Sequence, residues 1–572
     1  MCGITGIIGK KANEEALNKM LSEQHHRGPD FTGKFLSKNV ALGHNRLSII
    51  DLSLNANQPF FSNDKRYILV FNGEIYNYIE LKKELQSSYD FHTNSDTEVL
   101  LAAYIKWGNQ CLSRLNGMFS FSIWDTFKEE LFAARDRFGV KPFYYALKDD
   151  SFYFASEIKT LFAANIPKKT NNKVWANYFA YGSYGMPNES FWEGVLQLPA
   201  GHSLTYKKDC LNLDRWYVFE EEVKKHQKQL SFEEAKATYK KLLEDSIKLR
   251  FRADVPLGFN VSGGVDSSTL LALVSKNGAG NHINAYTFYT NNSKYDELPW
   301  VETLLKNTDN PLHKVLLKSK NIAKLSQEMS LFQDEPFGGV PTIAYSEIFK
   351  KARKDGVLVL LDGQGMDEQW AGYDYYTKNT TSVIQGVNKS PLRPGVLNKE
   401  FLNLAEKVVY PKPFADPVKN MQYRDLFYTK IPRTLRFNDR LSMAASTELR
   451  EPFLDYRLVE FAFAQPLEYK INDGKQKYLL RVLASEYLPK SIRYAPKRAL
   501  QTPQREWMGN DLKDWVQSEV DNLKTLNWFN NDLLEKELTA YFDGDQDSSF
   551  HIWQWINTGL LLKEDFLEKN NS

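Results

Sequence analysis

Two segments of the chain share one pattern, in which a short apolar run leads into a glycine-containing turn and then into a helix-like stretch. The first covers residues 255–275, and its turn at 262–268 reads Ser-Gly-Gly-Val-Asp-Ser-Ser. The second has the apolar run 357–361 followed by a turn at 362–368. Continuous apolar strands are typical of a parallel sheet with both faces covered, and ligands bind at the carboxyl ends of such strands. The pattern therefore predicts a parallel α/β sheet with a binding site formed by the two turns.

The first part of the chain has a different pattern, in which short stretches alternate between apolar and polar residues. Ile4 and Ile7 indicate a buried strand near the start, and the stretches 117–125 and 131–136 alternate like two strands joined by a turn. We therefore expect residues 1–205 to form an α/β domain with two sheets.

A charged segment separates these two patterns. Nearly all residues from 220 to 229 are charged or polar, so we expect residues 206–230 to be a linker. A helix is predicted directly after it, because Ser231 can cap the helix and Glu234, three residues later, completes a capping box. The second domain is expected to span residues 231–572.

Composition limits the classes of protein to which the chain can belong. Its 572 residues are too many for one core, and 42% hydrophobic and 25% charged residues are ordinary for globular proteins. The net charge of +2 gives no global field that would attract nucleic acid or a membrane. No apolar run reaches about 18 residues, and the first residues do not resemble a signal peptide. Three cysteines are too few for a disulfide scaffold, so we expect a cytoplasmic protein.

The first of the two turns carries the chemistry of a phosphate-binding loop. Gly263 and Gly264 allow backbone amides to approach a ligand, and Ser267 and Ser268 add hydroxyl donors where a helix begins. The turn lacks the Gly-Lys-Ser/Thr ending of a Walker A loop. It contains Asp266 instead, and a carboxylate beside phosphate requires a cation between them, most simply Mg²⁺.

Cys2 is a candidate nucleophile. Removal of Met1 would place the cysteine at the amino terminus, where an α-amine with a reference pKa of about 7.7–8.0 can serve as the base for the thiol. One residue would then supply both the nucleophile and the base.

Four strings in the first domain resemble the glutaminase domain of class II, N-terminal-nucleophile amidotransferases. They are His-Arg-Gly-Pro-Asp at 26–30, Arg-Leu-Ser-Ile-Ile-Asp at 46–51, Asn-Gly-Glu-Ile-Tyr-Asn at 72–77 and Ser-Asp-Thr-Glu at 95–98. The resemblance implies an αββα sandwich fold for this domain. It also implies that the domain hydrolyses glutamine.

The same resemblance implies a glutamine site around Cys2. Arg46 would hold the substrate carboxylate and Asp96 its α-ammonium group, while the Asn72 amide and the Gly73 N–H would form the oxyanion hole. Asn72-Gly73 is also compatible with a simple hairpin turn. The implied glutamine-binding residues are Arg46, Leu47, Ser48, Ile49, Ile50, Asn72, Gly73, Glu74 and Asp96.

The second domain resembles the ATP pyrophosphatase domain of asparagine synthetases. The turn at 262–268 is similar to its pyrophosphate loop, and the turn at 362–368 is similar to its Ser-Gly-Glu-Gly-x-Asp-Glu string. In this resemblance Asp266 and Asp367 hold magnesium, and Lys477 is the catalytic lysine within helices of a C-terminal part. The implied ATP-binding residues are Asn260, Val261, Ser262, Gly263, Gly264, Asp266, Ser267, Ser268, Phe288, Asp362 and Gly363.

Three residues depart from the family pattern. Asp362 stands in place of serine, Gln364 in place of a catalytic glutamate, and Asn260 in place of leucine. A glutamine amide can hold hydrogen bonds but cannot act as a base near pH 7. Either Asp362 restores the negative charge that Gln364 lacks, or the change marks an acceptor other than aspartate.

The resemblance covers nearly the whole chain and implies membership of the glutamine-hydrolysing asparagine synthetase family. Such an enzyme takes ammonia from glutamine at one site, passes it internally and adds it to aspartyl-AMP at the other. The implied cofactors are ATP and Mg²⁺, and the partners are small molecules (glutamine, aspartate and ATP), with a homodimer as an open expectation. The alternatives are an enzyme of the same fold that amidates another carboxylate, such as a uronic acid of a surface polysaccharide, and a catalytically silent paralogue.

Overall fold

Twelve strands in the first half of the chain form two antiparallel sheets in the computed structural model, which describes residues 2–226, 230–276, 282–306, 308–377, 390–495, 502–544 and 548–563. The sheet orders are β10-β8-β9-β1-β3-β2 and β12-β11-β7-β6-β5-β4. The strands are β1 Gly3–Gly9, β2 Phe31–Ser37, β3 Val40–Arg46, β4 Phe60–Phe61, β5 Tyr67–Ile75, β6 Gly117–Asp125, β7 Glu130–Arg135, β8 Tyr144–Lys148, β9 Ser151–Ala155, β10 Leu196–Gln197, β11 His202–Lys207 and β12 Cys210–Arg215.

The two sheets pack face to face because successive residues of each strand point to opposite sides. Ile4 of β1 meets Val70 of β5 and Phe154 of β9 in the apolar layer between the sheets, whereas Ile7 lies in the layer on the opposite face of its sheet. Helices cover both outer faces, which confirms the expected αββα sandwich. The helices of this half are α1 Glu14–Glu23, α2 Tyr78–Leu85, α3 Asp96–Trp107, α4 Cys111–Arg114, α5 Ile158–Ala163, α6 Asn172–Tyr181 and α7 Phe219–Lys225.

The second half contains the predicted parallel sheet. Its strands are β13 Leu257–Asn260, β14 Asn284–Tyr289, β15 Leu312–Leu316, β16 Val359–Leu361 and β17 Glu448–Arg450, in the order β15-β14-β13-β16-β17; β18 Ile471–Asn472 and β19 Lys475–Gln476 form a separate antiparallel pair. From β13 the chain first builds the sheet on one side and later adds β16 on the other, so the carboxyl ends of β13 and β16 flank a topological switch point. The two predicted turns follow these two strands, at the place where a ligand is expected.

Helices make up most of the remaining second half. The first of them begins with the predicted capping box, because Ser231 Oγ accepts from the Glu234 N–H and the Glu234 carboxylate accepts from the Ser231 N–H. No helix among the described residues is long and apolar enough to cross a membrane. The helices are α8 Phe232–Arg250, α9 Val265–Lys276, α10 Leu298–Leu305, α11 Ile322–Gln333, α12 Val340–Lys354, α13 Met366–Gln369, α14 Lys399–Leu402, α15 Pro417–Arg424, α16 Lys430–Ala444, α17 Tyr456–Ala464, α18 Leu467–Lys470, α19 Tyr478–Leu483, α20 Lys490–Arg493, α21 Gln504–Gly509, α22 Lys513–Leu523, α23 Asn531–Phe542 and α24 Phe550–Leu561.

Residues 206–230, expected to form a linker, contain regular structure instead. Strand β12 pairs with β11 in the second sheet, and α7 follows it. Although most side chains of α7 are charged, the helix has a short apolar face. Its residues Phe219 and Val223 are buried in one cluster with Val459 and Phe463 of α17. The segment is therefore packed against the second half of the chain. The ranges 1–205 and 231–572 remain predictions for the domain boundaries.

A group of buried charges joins the two halves of the chain. Arg27 is fully buried, and its guanidinium donates to Glu157 at 2.8 Å and to both carboxylate oxygens of Asp439 in α16, at 2.8 and 3.1 Å. Its Nε also donates to the carbonyl oxygen of Cys2 at 3.0 Å. A buried charge is tolerated only when it is paired and hydrogen-bonded, so this group fixes how the two halves dock.

We predict that Asp439→Asn lowers the free energy of unfolding by about 3 kcal/mol, because removing one partner of a buried ion pair leaves the other charge uncompensated. Thermal and urea unfolding of the full chain measure the change. The matched control is Glu14→Gln, which removes an exposed partner of Lys34 and is expected to change stability little. Equal losses in the two variants would contradict the prediction.

Candidate active sites

Cys2 directly precedes β1 and is buried. Its backbone nitrogen donates to Asn72 Oδ1 at 3.1 Å, and its thiol contacts the carbonyl oxygen of Leu47 at 3.9 Å. Burial raises the pKa of the Cys2 thiol above its ordinary value, and the nearby Arg46 guanidinium opposes that rise. A thiol of this kind requires a base to become a nucleophile, and the nitrogen of Cys2 itself is the candidate.

The side-chain amide of Asn72, next to Cys2, has a hydrogen-bond donor that no described residue uses. Its Oδ1 is taken by Cys2, whereas its Nδ2 is buried with no hydrogen-bond partner among the described residues. A Cβ on Gly73 would lie 2.1 Å from the Met118 carbonyl oxygen, so only glycine fits there. Asn72 and Gly73 lie within the continuous strand β5, paired with β6, and do not form the hairpin turn that their sequence also allowed.

Arg46 and Asp96 are the two predicted anchors for an amino acid substrate, and both are buried. The Arg46 guanidinium donates to the Ser53 carbonyl and to Asn57 Oδ1, each at 2.8 Å, and to the Asp51 carbonyl. Asp96 Oδ2 accepts from the Ile75 N–H at 2.8 Å. Burial raises the pKa of Asp96 to about 6, so the carboxyl group is ionised at neutral pH and neutral in mild acid.

The rest of the predicted glutamine-binding segment is also held by contacts of its backbone. The Ser48 N–H donates to Asp30 at 2.8 Å, and the Ile49 carbonyl accepts from the Asp254 N–H of the second half at 2.9 Å. Ile50 is buried in an apolar cluster at the junction of the two halves.

Glu74 connects this site to the second half of the chain. Its Oε2 lies 3.6 Å from Nη2 of the buried Arg450, whose Nε donates to Glu448 at 2.5 Å. Burial together with the Glu448 and Asp96 charges raises the pKa of Glu74 well above its usual range. Burial acts in the same direction on Glu448, but Arg450 holds the pKa of that carboxyl at about 2.

The predicted ATP-binding residues gather at the switch point of the parallel sheet. Gly263 has φ +70°, a left-handed conformation that glycine adopts without strain. Ser267 Oγ accepts from the Ser262 N–H at 3.2 Å, which folds the loop over the start of α9. A Cβ on Gly363 would lie 3.2 Å from the Ser267 nitrogen, so the two turns are in contact. The Ser268 hydroxyl is buried with no hydrogen-bond partner among the described residues.

A cavity of about 300 Å³ opens beside this loop. Four of the predicted residues line it, and aromatic side chains supply an apolar surface against which a planar ring can pack. The lining residues are Asn260, Val261, Ser262, Thr287, Phe288, Tyr295, Asp296, Glu297 and Tyr345.

Asp266, Asp367 and Lys477 form one charged cluster. Lys477 Nζ lies 2.5 Å from Asp266 Oδ2 and 2.8 Å from Asp367 Oδ1, although burial opposes its charge. Lys477 directly precedes α19 and has φ 55°, and its N–H donates to the Trp370 carbonyl at 3.1 Å. A Cβ on Gly372 would lie 2.0 Å from Asp367 Oδ1 and 2.2 Å from Lys477 Cε, so only glycine leaves room for the cluster.

The donor set of this cluster fits a divalent cation. The carboxylates of Asp266 and Asp367 both form ion pairs with the Lys477 ammonium group. Carboxylate oxygens are also the ligands that Mg²⁺ prefers beside phosphate. Asp266 and Asp367 are therefore the residues that would hold the metal.

The three residues that depart from the family pattern are neighbours. The Asp362 carboxylate accepts from the Gly363 N–H at 2.6 Å and from Asn260 Nδ2 at 3.4 Å, and the Gln364 side chain is hydrogen-bonded to it as well. Burial raises the pKa of Asp362 to about 6. The three changes therefore form one altered hydrogen-bonded group.

A cavity lies between the two halves of the chain. On the side of the first half it begins at Tyr76, directly after the strand that carries Asn72, Gly73 and Glu74. On the other side it ends at residues that follow β17. The lining residues are Tyr76, Asn116, Gly117, Met118, Asp136, Arg137, Phe138, Val140, Arg250, Glu451, Leu454 and Tyr456.

The sequence did not identify several of the residues that complete these sites. Arg27 lies inside the string at 26–30, but nothing in the sequence indicated that Arg27, Glu448 or Arg450 takes part in contacts at the junction. Tyr345 lines the cavity beside the loop from a helix whose sequence carries no functional signal. These contacts are tertiary, so no local pattern could have revealed them.

Comparison with known proteins identifies families for both halves. Residues 1–217 match the glutamine amidotransferase domain family, and residues 238–564 match the asparagine synthase family. The chain is 32% identical to asparagine synthetase (glutamine-hydrolyzing) 3 of Bacillus subtilis (strain 168), over 98% of this chain and 96% of the relative. It is 30% identical to asparagine synthetase (glutamine-hydrolyzing) 1 of the same organism, over 97% and 95%. A relative from Penicillium rubens named amidase chyE is 25% identical over 92% and 93%. The chain therefore belongs to the glutamine-hydrolysing asparagine synthetase family.

Proposed function

We propose that this chain makes asparagine from aspartate, with glutamine as the nitrogen donor and ATP as the source of activation. The observation that carries the proposal is the arrangement on one chain of a buried cysteine site, a carboxylate–lysine site and a cavity between them. The two Bacillus subtilis relatives are named as enzymes of this activity.

In the first half-reaction Cys2 attacks the amide carbon of glutamine. Once Met1 is removed, the Cys2 nitrogen is an α-amine that donates to Asn72 Oδ1 and takes the proton of the thiol through its lone pair. The Asn72 Nδ2 and the Gly73 N–H stabilise the oxyanion, which needs donors that are already in place. Arg46 holds the substrate carboxylate and Asp96 its ammonium group. The attack of Cys2 breaks the carbon–nitrogen bond of the amide and yields a thioester and free ammonia.

In the second half-reaction the side-chain carboxylate of aspartate attacks the α-phosphate of ATP. The loop at 262–268 and the start of α9 supply N–H groups for the phosphates. Lys477 places a positive charge where negative charge develops during transfer. Asp266 and Asp367 would hold Mg²⁺, which would neutralise part of the phosphate charge. The products are aspartyl-AMP and pyrophosphate.

The cavity between the halves provides the route for ammonia. Ammonia released into water is protonated to ammonium, which has no lone pair for attack on the acyl-adenylate. The cavity extends from Tyr76, directly after the strand that carries Asn72 and Gly73, to Glu451, which is hydrogen-bonded to the backbone of Gln364, and passage along it would keep the nitrogen nucleophilic.

Three further proposals accompany this function. The ranges matched by the two families support two domains close to 1–205 and 231–572, with residues 206–230 packed between them. Cys2, Cys111 and Cys210 are free thiols, which supports a reducing compartment such as the cytoplasm. A homodimer stays a prediction.

The acceptor is tested by AMP formation. We expect aspartate to support it with a kcat/KM well above about 10² M⁻¹s⁻¹, within reach of typical enzyme values of about 10⁴–10⁸. Asp266→Asn or Asp367→Asn should lower the rate by about 10²-fold or more, the scale of losing a charge-stabilising group, while glutamine hydrolysis continues. A uronic acid that outperforms aspartate would refute the proposed acceptor.

The division of labour between the two sites is tested by Cys2→Ala. We expect this variant to lose asparagine formation from glutamine and to retain it with added ammonium salt, because ammonia can enter the second site without the first. The measurement is asparagine formed with each nitrogen source. A parallel fall of both activities would show that the two sites are not separate.

The role of Asp96 predicts a pH dependence of glutamine binding. The pKa of Asp96 is raised to about 6, so below that pH the carboxyl group is neutral and no longer attracts the substrate ammonium. We expect the association constant of glutamine to fall about tenfold per pH unit below pH 6. Calorimetric titration of Cys2→Ala measures binding without hydrolysis. Asp96→Asn in that background should bind weakly with a flat profile, and a flat profile with Asp96 intact would contradict the assignment.

A further inference from the structure

Three polar residues lie at the carboxyl edge of the parallel sheet, where three neighbouring strands end. Strand β16 pairs with β13 on one side and β17 on the other, with Leu361 opposite both Phe259 and Arg450. Asn260, Asp362 and Glu451 are the next residues on the three strands. The Asp362 N–H donates to the Arg450 carbonyl at 3.0 Å, which holds Asp362 and Glu451 side by side.

Glu451 differs from its two neighbours in having an unused acceptor. The residue is 4% exposed, and its Oε2 is buried with no hydrogen-bond partner among the described residues. A buried carboxylate oxygen without a partner is costly and is retained where a ligand or a reaction uses it. Glu451 also lines the cavity between the two halves, whose other wall includes Tyr76, Gly117 and Met118 of the first half.

The reaction needs a proton acceptor at this end of the cavity. Ammonia that has attacked a carbonyl carbon carries a positive charge and must lose a proton before a neutral amide forms. Gln364 cannot take this proton, because its amide is not a base near neutral pH. It lies next to Glu451, with its backbone hydrogen-bonded to the Glu451 carboxylate.

The other carboxylates near the turn are engaged elsewhere. Asp266 and Asp367 are bound to Lys477. Asp362 accepts from the Gly363 N–H with one oxygen and from Asn260 with the other, and it does not line the cavity. Glu451 is therefore the carboxylate that ammonia meets at the end of its route.

We propose that Glu451 is the catalytic base of the amide-forming step, an inference that rests on the proposed function. The ammonia nitrogen forms a bond to the acyl carbon of the adenylate. The bond from that carbon to the AMP oxygen breaks, and AMP leaves with the electron pair. One N–H proton passes to Glu451 Oε2 and from there to solvent, so that a neutral amide, AMP and a proton are produced.

The charges around Glu451 suit a proton acceptor. Burial and the adjacent Asp362 raise the pKa of Glu451 well above its usual range, while Lys141 and Arg250 act in the opposite direction. The two cations favour the ionised carboxylate that the step requires, and the raised pKa makes that carboxylate a stronger base than one in water. Asp362 thus assists the neighbouring glutamate without itself receiving the proton.

The test separates adenylate formation from amide formation. Glu451→Gln keeps the size and the hydrogen-bonding capacity of the side chain and removes its basicity. We expect exchange of labelled pyrophosphate into ATP, measured with the carboxylate that supports AMP formation by the unsubstituted protein, to stay within about threefold. Amide formation with added ammonia should fall by about 10²-fold or more, the usual contribution of general base catalysis. Glutamine hydrolysis by Cys2 should persist.

Two further variants make the result specific to Glu451. Glu451→Asp keeps a carboxylate and should recover part of the amide formation that Glu451→Gln loses. Glu460→Gln changes another buried glutamate of the second half, bonded to the Tyr217 hydroxyl, and should leave both reactions unchanged.

Two outcomes would overturn the inference. In the first, Glu451→Gln forms amide at the unsubstituted rate while Asp362→Asn does not, which would assign the proton to Asp362. In the second, pyrophosphate exchange and amide formation fall together, which would place Glu451 in adenylation or in folding. A failure of aspartate as the acceptor would count against the proposed function alone, because the comparison uses whichever carboxylate is adenylated.

Discussion

The structure depends on two arginines buried where the two halves of the chain meet. Arg27 is bound by Glu157 and Asp439, and Arg450 is bound by Glu448 and faces Glu74. Burying a guanidinium without partners costs several kcal/mol, so each arginine requires a carboxylate at a defined place. Asp439 and Glu74, the partners that lie across the junction, therefore constrain how the halves dock. In the observed arrangement Glu74 of β5 lies beside Arg450 of β17, a strand of the parallel sheet.

Much of the architecture was predictable because local sequence patterns determine the positions of its strands and turns. The apolar runs and glycine turns located β13, β16 and the switch point between them, and the alternation around Ile4 and Ile7 located a strand of the first sandwich. Composition was misleading at residues 206–230. The charges of α7 face solvent, and the two buried residues Phe219 and Val223 are too few to produce a visible helical period.

The candidate sites were predictable as residue types and not as contacts. The strings named Asp266, Asp367 and Lys477, but only the folded chain brings the lysine onto both carboxylates. The departures at Asn260, Asp362 and Gln364 looked independent in the sequence, and in space they form one hydrogen-bonded group. Substitutions that contact one another are coupled, so each is intelligible only with the other two.

The packing of α7 has a consequence for timing. Separating the halves would expose Phe219 and Val223, at about 1.5–3 kcal/mol for each large apolar side chain. It would also remove Asp439 from Arg27 and Glu74 from Arg450. These contacts oppose separation of the halves, so we expect the space between the sites to persist from one turnover to the next. With the distance between the sites fixed, the release of nitrogen at one and its consumption at the other must be matched by the chemical states of the two sites, and the enzyme works as a relay of constant length.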